Sequence, residues 1–106
     1  MKTKYTTNQI LLAKIIYDFL LKEFGLRKDF TSTQLDEYAY VNNTYPPWWG
    51  KYRELSEKEK NTFYIKDILL DLEWVEYTGG GSYGEMDTRT YCLLPIDDID
   101  VLTKII

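Results

Sequence analysis

The residue types that carry most protein chemistry are scarce in this chain. It has no histidine and a single cysteine, Cys92. Composition therefore excludes Cys/His zinc sites, a histidine general base, a serine triad and an internal disulfide. Carboxylates, glycines, lysines and aromatics remain, and spacing decides among them. Asp97, Asp98 and Asp100 lack the ligand spacing and glycine turn of a calcium loop, and read as the acidic start of a helix. Glu73 and Glu76 lie on a strand with no second acid placed opposite. Gly79-Gly80-Gly81 joins two strands without a nearby lysine, whereas a phosphate loop runs from strand into helix and supplies one. It reads as a hairpin tip. Cys92, inside an apolar strand, reads as a small core residue. No catalytic residue, metal or cofactor is assigned, and the chain is read as a binding protein, not an enzyme.

Binding chemistry is better represented. Lys51, Arg53, Lys58, Lys60 and Lys66 surround Asn61 in a segment whose net charge is +2, and Arg89 follows further on. Residues 1–28 carry six Lys/Arg against two Asp/Glu, while residues 67–106 balance at −7. The chain as a whole is at −4, which argues against a generic nucleic-acid coat but leaves room for a local basic face. Lysines position a protein on phosphates; the Asn61 amide suits an adenine edge. The same lysines alternate with Glu57, Glu59 and Asp67, as on any solvated helix. By helical phase Asn61 falls near the core side, where it would make a structural hydrogen bond. The stretch from Tyr45 through Trp48 and Trp49 to Tyr52 offers stacking platforms or interface anchors, or else a lid on the core.

Three helices, a glycine-tipped hairpin and a tail must position these groups. Thr6 with Gln9, Thr31 with Gln34 and Ser56 with Glu59 are three capping boxes, the first two with staples Tyr5–Ile10 and Phe30–Leu35. The first helix ends at Phe24, with Gly25 at its C-terminus and Leu26 placed for a Schellman contact on Leu21. Its Leu12, Ile15, Ile16 and Phe19 form one apolar face, and Ile10, Tyr17, Leu21 and Phe24 a second, so it is either central or shared with a second subunit. The second helix ends near Tyr40 or Val41. The paired prolines Pro46-Pro47 keep helix out of the following aromatic segment. The third helix runs from Ser56 with Ile65, Ile68, Leu69 and Leu72 as its core face, leaving Phe63, Asp67 and Leu70 outside. The period then changes to 2 in Glu73–Tyr77 and Arg89–Leu94 around a flexible tip. The tail from Asp97 forms a last helix whose Ile99, Leu102, Ile105 and Ile106 are hard to bury in a monomer. The expectation is one α+β domain, mainly helical, over residues 1–106, with hairpin 73–95 and tail 96–106. No apolar run approaches a bilayer span and no signal peptide is evident; with one cysteine, a reducing cytoplasmic setting follows.

Helix, helix, helix, strand, glycine-rich tip, strand resembles the winged helix-turn-helix superfamily. The resemblance is sharpest over Ile68-Leu69-Leu70-Asp71-Leu72-Glu73-Trp74-Val75-Glu76-Tyr77 and Thr88-Arg89-Thr90-Tyr91-Cys92-Leu93-Leu94-Pro95, and spans about residues 7–95 as a pattern of elements. It departs from the pattern in the long connection, Asn42 to Leu55, between the second and third helices. The resemblance implies a three-helix core with a C-terminal wing, and a DNA-binding transcriptional regulator acting as a homodimer on double-stranded DNA. Its DNA face would carry Lys51, Arg53, Lys58, Lys60, Asn61, Lys66 and Arg89. The alternative is the same scaffold used as a protein–protein adaptor or inhibitor, anchored by Trp48, Trp49, Phe63, Leu70, Leu102 and Ile105.

Overall fold

The computed structural model describes residues 4–36, 48–80, 82–83, 86–87 and 89–105. The expected end of the second helix, the Asn42–Pro47 part of the aromatic connection, Gly81, Gly84 and Glu85 of the hairpin tip, and Ile106 lie outside them.

Helix α1, Thr7–Phe24, starts as its sequence directs. Thr6 Oγ1 accepts from the Gln9 amide at 3.2 Å, and Gln9 Oε1 accepts from the Thr6 amide at 2.9 Å. Ile10, Leu12, Ala13, Ile16, Tyr17 and Leu20 are buried along it, a face too broad for one stripe, so α1 is the central element of the core. Leu11 and Ile15 stay exposed. At the far end Gly25 takes φ 84, where glycine is at ease, and its N–H bonds Leu21 O at 3.0 Å. The expected Schellman contact of Leu26 does not form. With ψ at 171 the Gly25 backbone carries the chain away from the helix, and Leu26 is 44% exposed. Leu26 instead bridges to Leu93, and the Arg27 amide donates to Leu93 O at 3.0 Å.

Strand β1, Phe30–Thr31, was not expected; α2, Ser32–Asp36, follows it with both halves of the Thr31–Gln34 box in place at 2.8 and 3.0 Å. A further helix, α3, spans Trp49–Arg53, in the segment from which the prolines were expected to exclude helix. Proline restrains itself and the residue before it, and Trp49–Arg53 lies beyond both prolines. The single third helix is in fact two, α4 at Glu57–Asn61 and α5 at Ile65–Asp71.

Helix α5 ends in a full Schellman motif. The Glu73 amide bonds Leu70 O at 3.0 Å and the Trp74 amide bonds Leu69 O at 3.1 Å, with Glu73 at φ 64. Trp74 is 1% exposed and meets the Tyr17 ring edge-on at 6.1 Å, while the Tyr17 hydroxyl donates to Leu94 O. One tryptophan thus joins α1, α5 and the hairpin.

The hairpin pairs β2, Val75–Gly79, with the returning strand in the register Val75↔Leu93, Glu76↔Cys92 and Tyr77↔Tyr91. Its tip is not a plain loop: β3, Ser82–Tyr83, pairs with β4, Met86–Asp87. The returning strand β5, Thr90–Leu93, also pairs with β1, so the sheet order is β1-β5-β2, all antiparallel. Helix α6, Asp98–Ile105, forms as expected, with Asp97 and Asp100 each accepting the other's amide at 2.9 Å. The molecule is α+β, helix predominating beside a small antiparallel sheet. Among the described residues no helix is long and apolar enough to cross a membrane.

Candidate nucleic-acid interface

The third helix is interrupted by a side chain from the first. Gln9 is polar yet only 2% exposed. Its Oε1 completes the α1 capping box, and its Nε2 donates to Glu59 O and to Thr62 Oγ1, both at 2.9 Å. In a continuous helix Glu59 O would accept from the Phe63 amide four residues on. Here the Thr62 amide bonds Glu59 O and the Phe63 amide bonds Lys60 O, each at 3.3 Å, the tighter three-residue closure that ends helices. The buried amide of Gln9 is satisfied by this arrangement. Tyr64 then runs extended, at φ −121 and ψ 117, into α5.

The break shapes a groove of about 670 Å³ between the start of α1 and the α4–α5 junction. Lys4, Tyr5, Lys58, Asn61, Tyr64 and Asp67 line it, and Tyr64 stands 61% exposed. Two acids here are already engaged. The Tyr5 hydroxyl donates to Asp71 Oδ2 at 2.5 Å and Lys4 Nζ lies 3.1 Å from the same oxygen. That hydrogen bond, with the Lys4 charge, holds the Asp71 carboxyl below its usual range, while burial and the bonded carboxylate push the Tyr5 phenol up. Glu59 is likewise held low, by the Thr6 hydroxyl first and the Ser56 amide next. Asp67 has no hydrogen bond or ion pair among the described residues.

The groove brings together only some of the residues assigned to DNA from sequence. Lys58 and Asn61 lie on it, joined by Lys4. Asn61 is exposed there, not turned toward the core, because the break after α4 shifts the helical phase. Lys51 and Arg53 are exposed on α3, with Lys51 3.7 Å from Glu54. Lys60 lies 3.9 Å from Glu57 and over the Tyr52 ring at 6.0 Å. Lys66 and Arg89 are half-buried and outside the groove.

The protein-contact candidates divide differently. Phe63, expected on the outer face, is buried for the same reason of phase, and Trp48 is buried as a lid on the core would be. Leu70 and Ile105, both expected to project outward, are half-buried against the core. Trp49 stacks on Tyr52 at 5.3 Å, and Leu102 is exposed. Sequence reasoning did not find Lys4, Tyr5 or Tyr64 as site residues. Gln9 was visible as a capping residue, but nothing local signals that its amide reaches residue 62.

Burial pushes the Cys92 thiol up, which disfavours the nucleophilic thiolate. No three metal-ligating side chains converge among the described residues. No family model, curated protein or solved structure matches this chain.

Proposed function

We propose that the chain is a cytoplasmic winged-helix protein that binds double-stranded DNA, serving as a homodimeric transcriptional regulator. The observation that carries this reading is the groove in which Lys4 joins Lys58 and Asn61 on one face. Ammonium groups there meet phosphates, and the Asn61 amide can offer a donor and an acceptor to a base edge. The topology supports it: the hairpin is held by Trp74, which stands just before β2 and packs on Tyr17 of α1, and by β1, which pairs with β5, as a wing must be to hold a fixed angle. Lys51 and Arg53, exposed on α3, and the half-buried Lys66 and Arg89 are the further cations we assign to DNA, outside the groove itself. Exposed Ile99 and Leu102 on α6 supply the dimer contact.

Fluorescence anisotropy with a duplex of about 30 base pairs tests it. Binding at low salt weakens linearly in log–log form, at roughly −0.9 per phosphate contacted. Lys4→Ala with Lys58→Ala flattens that slope by about 2 units. Absence of binding at low salt overturns the reading.

A second reading, the same scaffold as a protein-interaction module, is favoured by a different observation. Leu11 and Ile15 are exposed beside Leu12 and Leu55 in a groove of about 550 Å³ between α1 and α3. It requires that no duplex bind, and that Leu11→Asp abolish a stoichiometric protein complex formed by the wild type.

A further inference from the structure

We infer that the α4–α5 break is a stacking site for a single unpaired nucleic-acid base, with Tyr64 as its platform; this rests on the DNA-binding reading above. Tyr64 stands 61% exposed, against 49% for Tyr77 on the hairpin. It stands on the groove wall with Asn61 three residues before it and Asp67 three residues after. The break that puts it there is held by the buried amide of Gln9, bonded at 2.9 Å to Glu59 O and Thr62 Oγ1, so its position is fixed by the core.

The chemistry around the ring selects the ligand. Phosphate alone does not account for the groove, because Glu59 and Asp67 line it beside the lysines and Lys4 is paired with Asp71. A base is neutral and presents donors and acceptors at its edge and a π face above and below. Glu59 and Asp71 are committed to Thr6, Ser56, Tyr5 and Lys4, which leaves Asp67 to accept from a base edge. Asn61 supplies the complementary donor, and Lys4 and Lys58 serve the flanking phosphates. A paired base inside a duplex hides its faces; a bulged or overhanging base exposes them. The site therefore favours DNA with an unpaired base over an uninterrupted duplex.

Anisotropy with two labelled DNAs tests this: a blunt duplex, and the same duplex with one bulged guanine, whose two adjacent edge donors suit a carboxylate. The bulged DNA binds more tightly by roughly 5- to 150-fold, the usual worth of one base stacked on an aromatic. Tyr64→Ala brings the ratio of bulged to blunt affinity to about one, whatever it does to blunt-duplex affinity, and Tyr64→Phe keeps the wild-type ratio; the salt slope, set by the lysines, reads duplex binding separately. The ring is largely in solvent, so the alanine variant folds, as thermal melting verifies. Equal affinity of the wild type for both DNAs overturns the inference and leaves duplex binding standing. A preference that survives Tyr64→Ala overturns it as well. Binding to neither DNA overturns both.

Discussion

The two ends of α5 are built on opposite principles. Its C-terminal end is closed by backbone hydrogen bonds from Glu73 and Trp74 and sealed by a buried indole. Its N-terminal end follows a break held by one polar side chain, Gln9, from the far side of the chain. The apolar end joins three elements and faces inward, whereas the polar end opens onto a groove and leaves Tyr64 in solvent. Hydrophobic closure fixes a turn without shaping a surface. A buried hydrogen-bonding side chain can do both, because it stabilises an interruption that packing alone would have smoothed into helix.

The comparison makes its largest prediction at the sealed end. Trp74→Ala should cost about 3–5 kcal/mol, from lost burial and the cavity left beside Tyr17. Trp74→Phe should cost markedly less, since the indole Nε1 is buried with no hydrogen-bond partner among the described residues to lose. Urea denaturation measures both. A cost for Trp74→Ala below about 1 kcal/mol would mean that the hairpin is not anchored where we place it.

Gln9→Leu probes the polar end. The substitution keeps the volume, removes two hydrogen bonds and the N3 half of the α1 capping box, and should cost about 1–3 kcal/mol. Hydrogen exchange sharpens the contrast. The amides of Thr62 and Phe63 should lose protection in Gln9→Leu and keep it in Trp74→Phe. Equal loss in both variants would merge the two ends into one cooperative unit.

How far each end could be read in sequence follows from the same contrast. The three capping boxes, the start of α1 and the β2–β5 pairing were legible because each is written within a few residues of itself. The α4–α5 break was not, since its determinant lies 53 residues away in the chain. The misplacement of Asn61 and Phe63 follows directly: continuing one helical phase through residues 62–64 sends Asn61 inward and Phe63 outward, the reverse of what the break produces. Strand β1 escaped for a similar reason. Two residues, Phe30 and Thr31, carry no periodicity, and they are strand only because Tyr91 and Thr90 lie beside them. Of the candidate site, the sequence therefore disclosed Lys58 and Asn61 as residue types but not the groove that unites them with Lys4 and Tyr64.

Glu73 is the next test. Its φ of 64 is strained for a residue with a Cβ, and Glu73→Gly should stabilise the protein by about 0.5–1 kcal/mol, net of glycine's greater freedom in the unfolded chain. No substitution at the N-terminal end should stabilise in this way, since Tyr64 already has an ordinary extended backbone. A destabilised Glu73→Gly would show that the Glu73 side chain contributes more than its strained backbone costs.

The smallest effect concerns Asp71, the last residue of α5. A carboxylate there opposes the helix dipole, and Lys4 and Tyr5 offset it from the other side of the groove. Because the fold lowers the Asp71 pKa, its contribution is full above the ordinary carboxylate value of about 4 and is lost as pH falls through that range toward the lower folded value. Tyr5 runs the other way. Its phenol is raised, so its contribution holds below about pH 10 and is lost as pH climbs beyond it. Tyr5→Phe should remove both arms at once. With the Asp71 side chain 44% exposed, screening keeps the effect to about 0.5 kcal/mol or less at neutral pH. The measurement is the difference in urea stability between wild type and Tyr5→Phe from pH 3 to 11. A bell in that difference, falling on the acid side with Asp71 and on the alkaline side with Tyr5, ties the groove's wall to the closed end of α5. A flat difference would leave the two ends of the helix electrostatically independent.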